Sequence, residues 1–103
     1  PSYYVSRAGA LISLGRKEEA LKDYDRAIEL SPTDGNNWIN KGNAFRGMGK
    51  LNESLDAFEK AIELNPNADS WKGKSDALRA LSRPSEADAA LAKAHELSYR
   101  GKT

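Results

Sequence analysis

The segment AIELSP at residues 27–32 returns as AIELNP at residues 61–66, and a shorter copy, AHEL, follows at residues 94–97. The copies are 34 and 33 residues apart, and other identities keep this spacing, such as Trp38 with Trp71 and Lys41 with Lys74. A fixed period of this length is typical of a chain built from stacked copies of one small structural unit. The sequence therefore divides into three copies, at residues 1–34, 35–67 and 68–103.

Each copy predicts two helices separated by a tight turn. Trp38, Gly42 and Phe45 are four and three residues apart, which places them on one face of a helix over residues 36–48. Glycines at positions 47 and 49 end this helix, and Pro32 and Pro66 end the second helices of the first two copies. Pro84 suits the first position of the last helix, where a backbone N–H has no intrahelical partner. We expect an all-α fold of six helices without strands.

The residues at fixed places in each copy resemble the tetratricopeptide repeat, whose pattern is W-x2-L-G-x2-Y, then A-x3-F, then P. Copy three departs from this pattern with Ser75 in place of glycine and Tyr99 in place of proline, and so resembles a degenerate terminal repeat. The resemblance implies one domain over residues 1–103, folded as a right-handed α-solenoid of three helix-turn-helix repeats with a capping third repeat. The matching residues are Tyr4, Ala8, Ala20, Tyr24 and Pro32 in copy one, Trp38, Gly42, Phe45, Phe58 and Pro66 in copy two, and Trp71 and Ala87 in copy three.

The composition argues against several classes of partner and cofactor. Sixteen basic against fifteen acidic residues leave a net charge of +1, which does not favour nucleic acid. The longest near-apolar stretch, residues 8–14, is about seven residues long, against about twenty needed to span a bilayer. The chain has no cysteine and a single histidine, His95, which removes disulfides and thiolate metal sites. We expect no cofactor, no metal, no nucleic-acid or membrane partner, and a cytoplasmic location.

No arrangement of residues typical of catalysis is present. Glu18 and Lys22, four residues apart, form a pair that supports a helix, and nothing in the sequence desolvates one carboxylate relative to its neighbours. Asp88 and His95 are two helical turns apart, about 10 Å, which is too far to share a metal ion. We therefore expect that these residues do not form an enzyme.

The second helix of copies one and two carries an apolar stripe that faces the following copy. In copy three the same places hold Asp88 and His95. Because a solenoid needs a polar outer face on its terminal unit, this replacement predicts that stacking ends there. The chain begins directly at a predicted helix without an initiator Met, which favours a segment of a longer protein. The stripe consists of Leu21 and Ile28 in copy one and of Leu55 and Ile62 in copy two.

Small residues alternating with large ones predict close pairing of the helices in each copy. The helical spacing of the aromatic residues places them in the core rather than on a ligand-stacking surface. The aromatic residues expected in the core are Tyr24, Trp38, Phe45, Phe58 and Trp71.

If the copies stack as tetratricopeptide repeats do, the first helices line a concave groove. The helix face opposite Trp38 and Phe45 is polar, and its asparagines offer both a donor and an acceptor to an extended peptide backbone. Arg46, Lys72 and Arg79 are placed to receive a carboxylate. The groove residues predicted in this way are Val5, Gly9, Ile39, Asn40, Asn43, Arg46, Lys72, Asp76 and Arg79.

Some members of the resembled family hold the C-terminal carboxylate of a partner in a clamp of lysine, asparagine and arginine. Only Asn40 matches that clamp here. Val5 and Gly9 stand at its places in the first copy, and Asp69 and Gly73 at those in the third. The sequence therefore disfavours a carboxylate clamp of that type while leaving another acidic ligand open.

Three functions follow from this interpretation. The resemblance implies a protein-interaction module or scaffold that binds an extended or helical peptide of a protein partner in the groove. The alternative is an assembly element that self-associates, as a homo-oligomer, or docks on the rest of a longer parent protein. The third is an array that presents substrates to a catalytic domain elsewhere.

Overall fold

Six α-helices follow one another in a computed structural model that describes residues 2–100, with only the backbone described at residues 2 and 100. Over this part of the chain the predicted six-helix fold without strands is confirmed. Residues 1 and 101–103, the two ends of the predicted domain, lie outside the described residues. The helices are α1 (Ser2–Ser13), α2 (Lys17–Leu30), α3 (Gly35–Gly47), α4 (Leu51–Leu64), α5 (Ala68–Ala80) and α6 (Pro84–Arg100).

Most helix ends lie where the sequence places them. Helices α2 and α4 stop one residue before the Ser-Pro and Asn-Pro pairs, and α6 begins at Pro84. Helix α3 is capped by Asp34, whose side chain accepts a hydrogen bond from the backbone N–H of Asn36 at 3.0 Å. Helix α5 begins with a reciprocal capping box between Asn67 and Ser70. Local interactions therefore determine where the helices of each repeat begin and end.

The turn inside each helical pair uses the left-handed backbone region at one equivalent position. The φ angles are 79° at Gly15, 78° at Gly49 and 62° at Ser82. Glycine adopts this region without steric cost, whereas a Cβ atom crowds the following carbonyl oxygen there. The third copy therefore makes the same turn with Ser82, at a steric cost that the glycines of the first two copies avoid.

The helices pair as α1–α2, α3–α4 and α5–α6, and each second helix packs on the first helix of the next pair. The core is correspondingly split into two clusters that each join three consecutive helices. The residues of one are Ala8, Ala20, Tyr24 and Ala44, and those of the other are Leu55, Phe58, Ala77, Leu78, Ala87 and Ala90.

Phe58 is the largest fully buried side chain and lies between two glycines. A Cβ atom built on Gly42 would lie 2.9 Å from the Phe58 ring, and one built on Gly73 would lie 2.2 Å from it. Both distances are shorter than a carbon–carbon contact allows. Gly42 and Gly73 therefore hold the ring of α4 between the first helices of two repeats, α3 and α5.

Buried hydroxyls join the two helices of the second and third pairs. In the second pair, Ser54 of α4 donates to the carbonyl oxygen of Gly42 in α3 at 2.7 Å. In the third pair, Ser75 of α5 donates to the carbonyl oxygen of Ala87 in α6 at 2.8 Å. Ser75 is the equivalent of Gly42, and Ala87 is the equivalent of Ser54. The same two positions are therefore joined, with donor and acceptor exchanged.

The prediction that all five aromatic residues lie in the core is only partly correct. Tyr24 and Phe58 are buried as expected, but the other three are half-buried. They lie at the edge of the helical pairs, where neighbouring lysines cover part of their rings. The residues for which the prediction was wrong are Trp38, Phe45 and Trp71.

Candidate peptide-binding groove

Two adjoining cavities lie among the first helices α1, α3 and α5, where the groove was predicted. The cavity at the α1 side has a volume of about 230 Å³, and the one between α3 and α5 has a volume of about 290 Å³. Asn43 lines both cavities, so it lies at the point where they meet. Together they extend from α1 and α2 across α3 to α5.

Most of the predicted groove residues line these two cavities. Asn40 and Asn43 line the cavity at the α1 side, together with Ile12. The predicted residues that line the α3–α5 cavity are Ile39, Asn43, Arg46, Lys72 and Asp76.

Three predicted residues lie outside both cavities. Val5 is half-buried and packs against the core cluster around Tyr24. Gly9 is exposed, and a Cβ atom built on it would meet no other heavy atom within 4 Å. Arg79 extends to the second helix of its own repeat, where it forms an ion pair with Asp88 at 3.0 Å. The residues that meet in the groove therefore come mainly from α3 and the middle of α5.

The α3–α5 cavity contains balanced charges. Arg46 of α3 and Asp76 of α5 form an ion pair at 2.7 Å that joins the two helices. Asp69 and Lys72 add one further charge of each sign. The sequence placed Arg46, Lys72 and Arg79 as receptors for a carboxylate. Of these three, only Lys72 has no ion pair with another described side chain.

The side-chain amides of Asn40 and Asn43 are hydrogen-bonding groups of the groove that are free to act. Asn40 is half-buried and Asn43 is exposed, and neither side chain hydrogen-bonds to another described residue. By contrast, the buried Asn37 donates to the carbonyl oxygen of Ala27 at 3.2 Å and serves the packing of α3 on α2. Each free amide can donate and accept in one plane, which matches the alternating N–H and C=O groups of an extended peptide.

Two residues of α2 line the groove and were missed by the sequence interpretation. Lys17 donates from Nζ to the carbonyl oxygen of Gly47 at 2.9 Å and thereby satisfies the end of α3. Tyr24 lines the same cavity, and burial raises the pKa of its phenol. Lys17 is equivalent to Leu51 and Pro84, so no repeated pattern marks it.

The largest cavity, about 470 Å³, lies outside the groove between α4, α5 and α6, with Trp71, Lys74 and Ala90 on its walls. A smaller equivalent of about 350 Å³, with Ala57 in the place of Ala90, lies in the second pair. The small side chains of Ala57 and Ala90 leave room beside the half-buried tryptophans, whose Nε1 atoms are nevertheless buried.

In the first pair an ion pair occupies the equivalent place. Asp23 accepts hydrogen bonds from Nε of Arg7 at 2.8 Å and from Nη2 at 2.6 Å. These bonds lower the pKa of the buried Asp23 carboxyl. A fork of this kind fixes both side chains, and a cavity of about 430 Å³ lined by Arg7, Leu11 and Asp23 lies beside it, so the first pair is also open here but has a charged wall in place of the alanine.

Within residues 2–100, no three potential metal-ligating side chains of His, Cys, Asp or Glu come together. In the same part of the chain, each helix is too short or too polar to cross a bilayer.

The stacked helical pairs and the groove along their first helices define an α-solenoid of the helical-repeat class. Residues 1–34 and 37–67 match the family model of the tetratricopeptide repeat. The chain belongs to this family, as the resemblance implied. The fold is accordingly the predicted right-handed solenoid, with α5 and α6 as a third pair.

Solved structures share this fold. A crystal structure of MamA has a TM-score of 0.89 at 22% identity and covers 96% of the chain, and the chain spans 58% of that protein. The second TPR domain of Spaghetti (RPAP3), bound to the HSP90 peptide SRMEEVD, has a TM-score of 0.85 at 20% identity, with 92% and 89% of the two chains covered. YrrB, described as a TPR protein with an unusual peptide-binding site, has 32% identity and a TM-score of 0.78, with 91% of this chain and 49% of YrrB covered. No protein of curated function matches the chain in sequence.

Proposed function

We propose that the protein is an interaction module that binds an extended peptide of a protein partner in the groove along α1, α3 and α5. The observation that carries the proposal is the pair of amides of Asn40 and Asn43, which have no hydrogen-bond partner among the described residues; Asn40 lines the cavity at the α1 side, and Asn43 lies where the two cavities adjoin. The family of the chain, the peptide bound by the RPAP3 domain and the peptide-binding site described for YrrB support it. Catalysis is not part of the proposed function, and a cytoplasmic location stays a prediction.

The charges of the groove define the kind of peptide that fits. Arg46 is neutralised by Asp76, and Lys72 is balanced by the Asp69 carboxylate in the same cavity. A strongly acidic peptide would therefore gain little from the groove, because Arg46 and Lys72 each have an acidic neighbour and Lys17 already donates to the carbonyl oxygen of Gly47. We expect a nearly neutral extended segment whose backbone meets the asparagines, with at most one carboxylate beside Lys72.

An affinity selection of natural peptide fragments on the immobilised protein tests this function. We expect the parent protein to enrich one motif, and Asn43→Ala to bind the enriched peptide about tenfold more weakly, as the loss of paired hydrogen bonds predicts. Asn52→Ala is the matched control, since Asn52 is an exposed asparagine on α4, outside the groove. Thermal unfolding should be the same for both variants. Enrichment of nothing, or equal binding by both variants, would contradict the groove assignment.

Self-association, the alternative from the sequence, also stays a prediction. Its signature is a sedimentation coefficient that rises with protein concentration and persists at high salt, because apolar contacts are not screened. A monomer at all concentrations would leave peptide binding as the better account.

A further inference from the structure

Helix α1 carries a stripe of four exposed residues. Tyr3, Arg7, Ala10 and Leu14 are four, three and four residues apart, so they follow one face of the helix and the residue after its end. Tyr3 is 62% exposed and Leu14 is 70% exposed, which makes them two of the large hydrophobic residues most open to water. We call these four residues the α1 stripe.

The equivalent stripes on the other first helices are covered. In α3 the places of Tyr3 and Ala10 hold Asn37 and Ala44, which are both buried. In α5 the same places hold Ser70 and Ala77, and both are fully buried. The α1 stripe is therefore equivalent to two surfaces that are buried on α3 and α5, but it is itself exposed.

The helices that cover α3 and α5 present the same three residues in the same order. Leu21 packs against the cluster that contains Ala44, and Leu55 belongs to the cluster that contains Ala77. Four residues after each leucine stands a carboxylate, and three residues after that an isoleucine. The two sets are Leu21, Asp25 and Ile28 in α2, and Leu55, Glu59 and Ile62 in α4.

The carboxylate of each set meets the basic residue of the stripe that it covers. Asp25 forms an ion pair with Lys41 at 2.6 Å, and Glu59 forms one with Lys74 at 3.3 Å. Arg7 holds the equivalent place in the α1 stripe. The leucine, acid and isoleucine of α2 thus face the stripe of α3, and those of α4 face the equivalent stripe of α5. In both cases the stripe has a lysine at its centre.

Arg7 retains the capacity to meet a further carboxylate. Asp23 occupies its Nε and Nη2 atoms, while Nη1 donates to the hydroxyl of Tyr3 at 3.1 Å on the outer side. The side chain is half exposed. A carboxylate that approaches the α1 stripe would meet this outer edge of the guanidinium.

We infer that the α1 stripe is a second interaction surface, which docks an amphipathic helix of a partner protein carrying the pattern Leu-x3-Asp/Glu-x2-Ile. A second copy of this chain does not offer such a helix. Its α2 and α4 patterns are already engaged, and the equivalent places on α6 hold Asp88, Ala92 and His95, which are all exposed. The surface is independent of the groove, because none of its residues lines either groove cavity.

A stapled helical peptide with the sequence of residues 51–64 is the probe, since a free helix of this length is marginal in water. Fluorescence anisotropy should show saturable binding to the parent protein. We expect Tyr3→Ser combined with Leu14→Asp to weaken binding about tenfold or more. Tyr99→Ser is the matched control, because Tyr99 lies on α6 and is 72% exposed. A peptide with Glu59→Lys should bind about threefold more weakly, in line with an exposed ion pair.

Four outcomes would overturn the inference. The first is no saturable binding by the parent protein. The second is equal binding by the double variant, which would place the peptide elsewhere on the molecule. The third is equal binding of a peptide in which the leucine and isoleucine of the pattern are both aspartate. The fourth is a dimer of the parent protein that Leu14→Asp abolishes, because the stripe would then be covered by a second copy. Peptides selected by the groove should bind all of these variants unchanged.

Discussion

The two ends of the stack present opposite surfaces to a neighbouring helix. At the α1 end, apolar Tyr3 and Leu14 are open to water beside Arg7. At the α6 end, the places of the leucine and isoleucine hold Asp88 and His95, both exposed. The sequence-based expectation that stacking ends at the third repeat stays a prediction. The two end faces of the described stack nevertheless differ, since one carries polar residues and the other carries exposed apolar ones.

The largest expected effect comes from giving α6 the pattern of α2 and α4. The triple variant Asp88→Leu, Ala92→Glu and His95→Ile should allow α6 of one molecule to dock on α1 of the next. Such a head-to-tail contact does not close on itself, so the mean mass should rise roughly several-fold with concentration, relative to the parent chain. Sedimentation velocity measures this rise. Adding Leu14→Asp should restore the behaviour of the parent, and growth that persists in the quadruple variant would show that the α1 stripe is not the acceptor.

A second contrast compares Gly9 of the first helical pair with Gly73 of the third. Gly73→Ala places a methyl group against the Phe58 ring and should lower the free energy of unfolding by about 1–3 kcal/mol. Gly9→Ala meets open space on α1 and should raise it by about 0.5–1 kcal/mol, because alanine is the better helix former. Urea unfolding of both variants measures the pair. Equal effects would mean that the ring does not fill the gap between α3 and α5.

Acid should affect the first helical pair more than the last. The folded-state pKa of Asp23 lies below its ordinary value of about 3.9, so its pair with Arg7 adds stability above about pH 4 and loses it as the pH falls through the lowered pKa. Asp23→Asn should therefore lose less stability than the parent between pH 6 and pH 3. Asp88→Asn, at an ion pair that is largely exposed, should change this loss little. Urea midpoints at the two pH values compare them, and identical losses in all three proteins would remove the role assigned to Asp23.

The smallest effect concerns the left-handed turn of the third pair. Ser82→Gly should stabilise the protein by about 0.5–1 kcal/mol, because it removes the crowding of a Cβ atom at a φ of 62°. Gly49→Ser, at the equivalent turn of the second pair, should destabilise by a similar amount. Thermal melting of the two variants measures both changes. Shifts of the same sign would mean that backbone strain does not distinguish the turns.

The sequence predicts the fold well because the signals that set the helices are local. Prolines after Leu30 and Leu64, and Pro84 itself, fix helix ends within a few residues, and the 33–34-residue period fixes which helices pair. The half-burial of Trp38 and Trp71 could not be predicted in the same way. It depends on Ala57 and Ala90, which reach the tryptophans only after the helices pack.

The groove is predicted less completely, because its chemistry depends on reach between helices. Helical spacing places Asn43 on the face that lines the two cavities, but it does not show that Arg46 meets Asp76 thirty residues away. Nor does it show that Arg79 extends to α6 rather than into the groove. Lys17 was missed because it comes from a second helix, whereas the prediction considered first helices only.

The exchanged hydroxyls of Ser54 and Ser75 have a consequence for how the third repeat is recognised. A comparison that scores one position at a time counts Ser75 as a lost glycine, and residues 68–100 lie outside both matches to the family model. In space nothing is lost, since the donor has moved to the facing helix and the bond remains. In the first pair the two equivalent positions hold alanines, Ala8 and Ala20, and both are fully buried. The feature that the chain repeats is thus a contact between two facing residues. A position that departs from the family pattern on one helix is understood only together with the residue that faces it on the other helix.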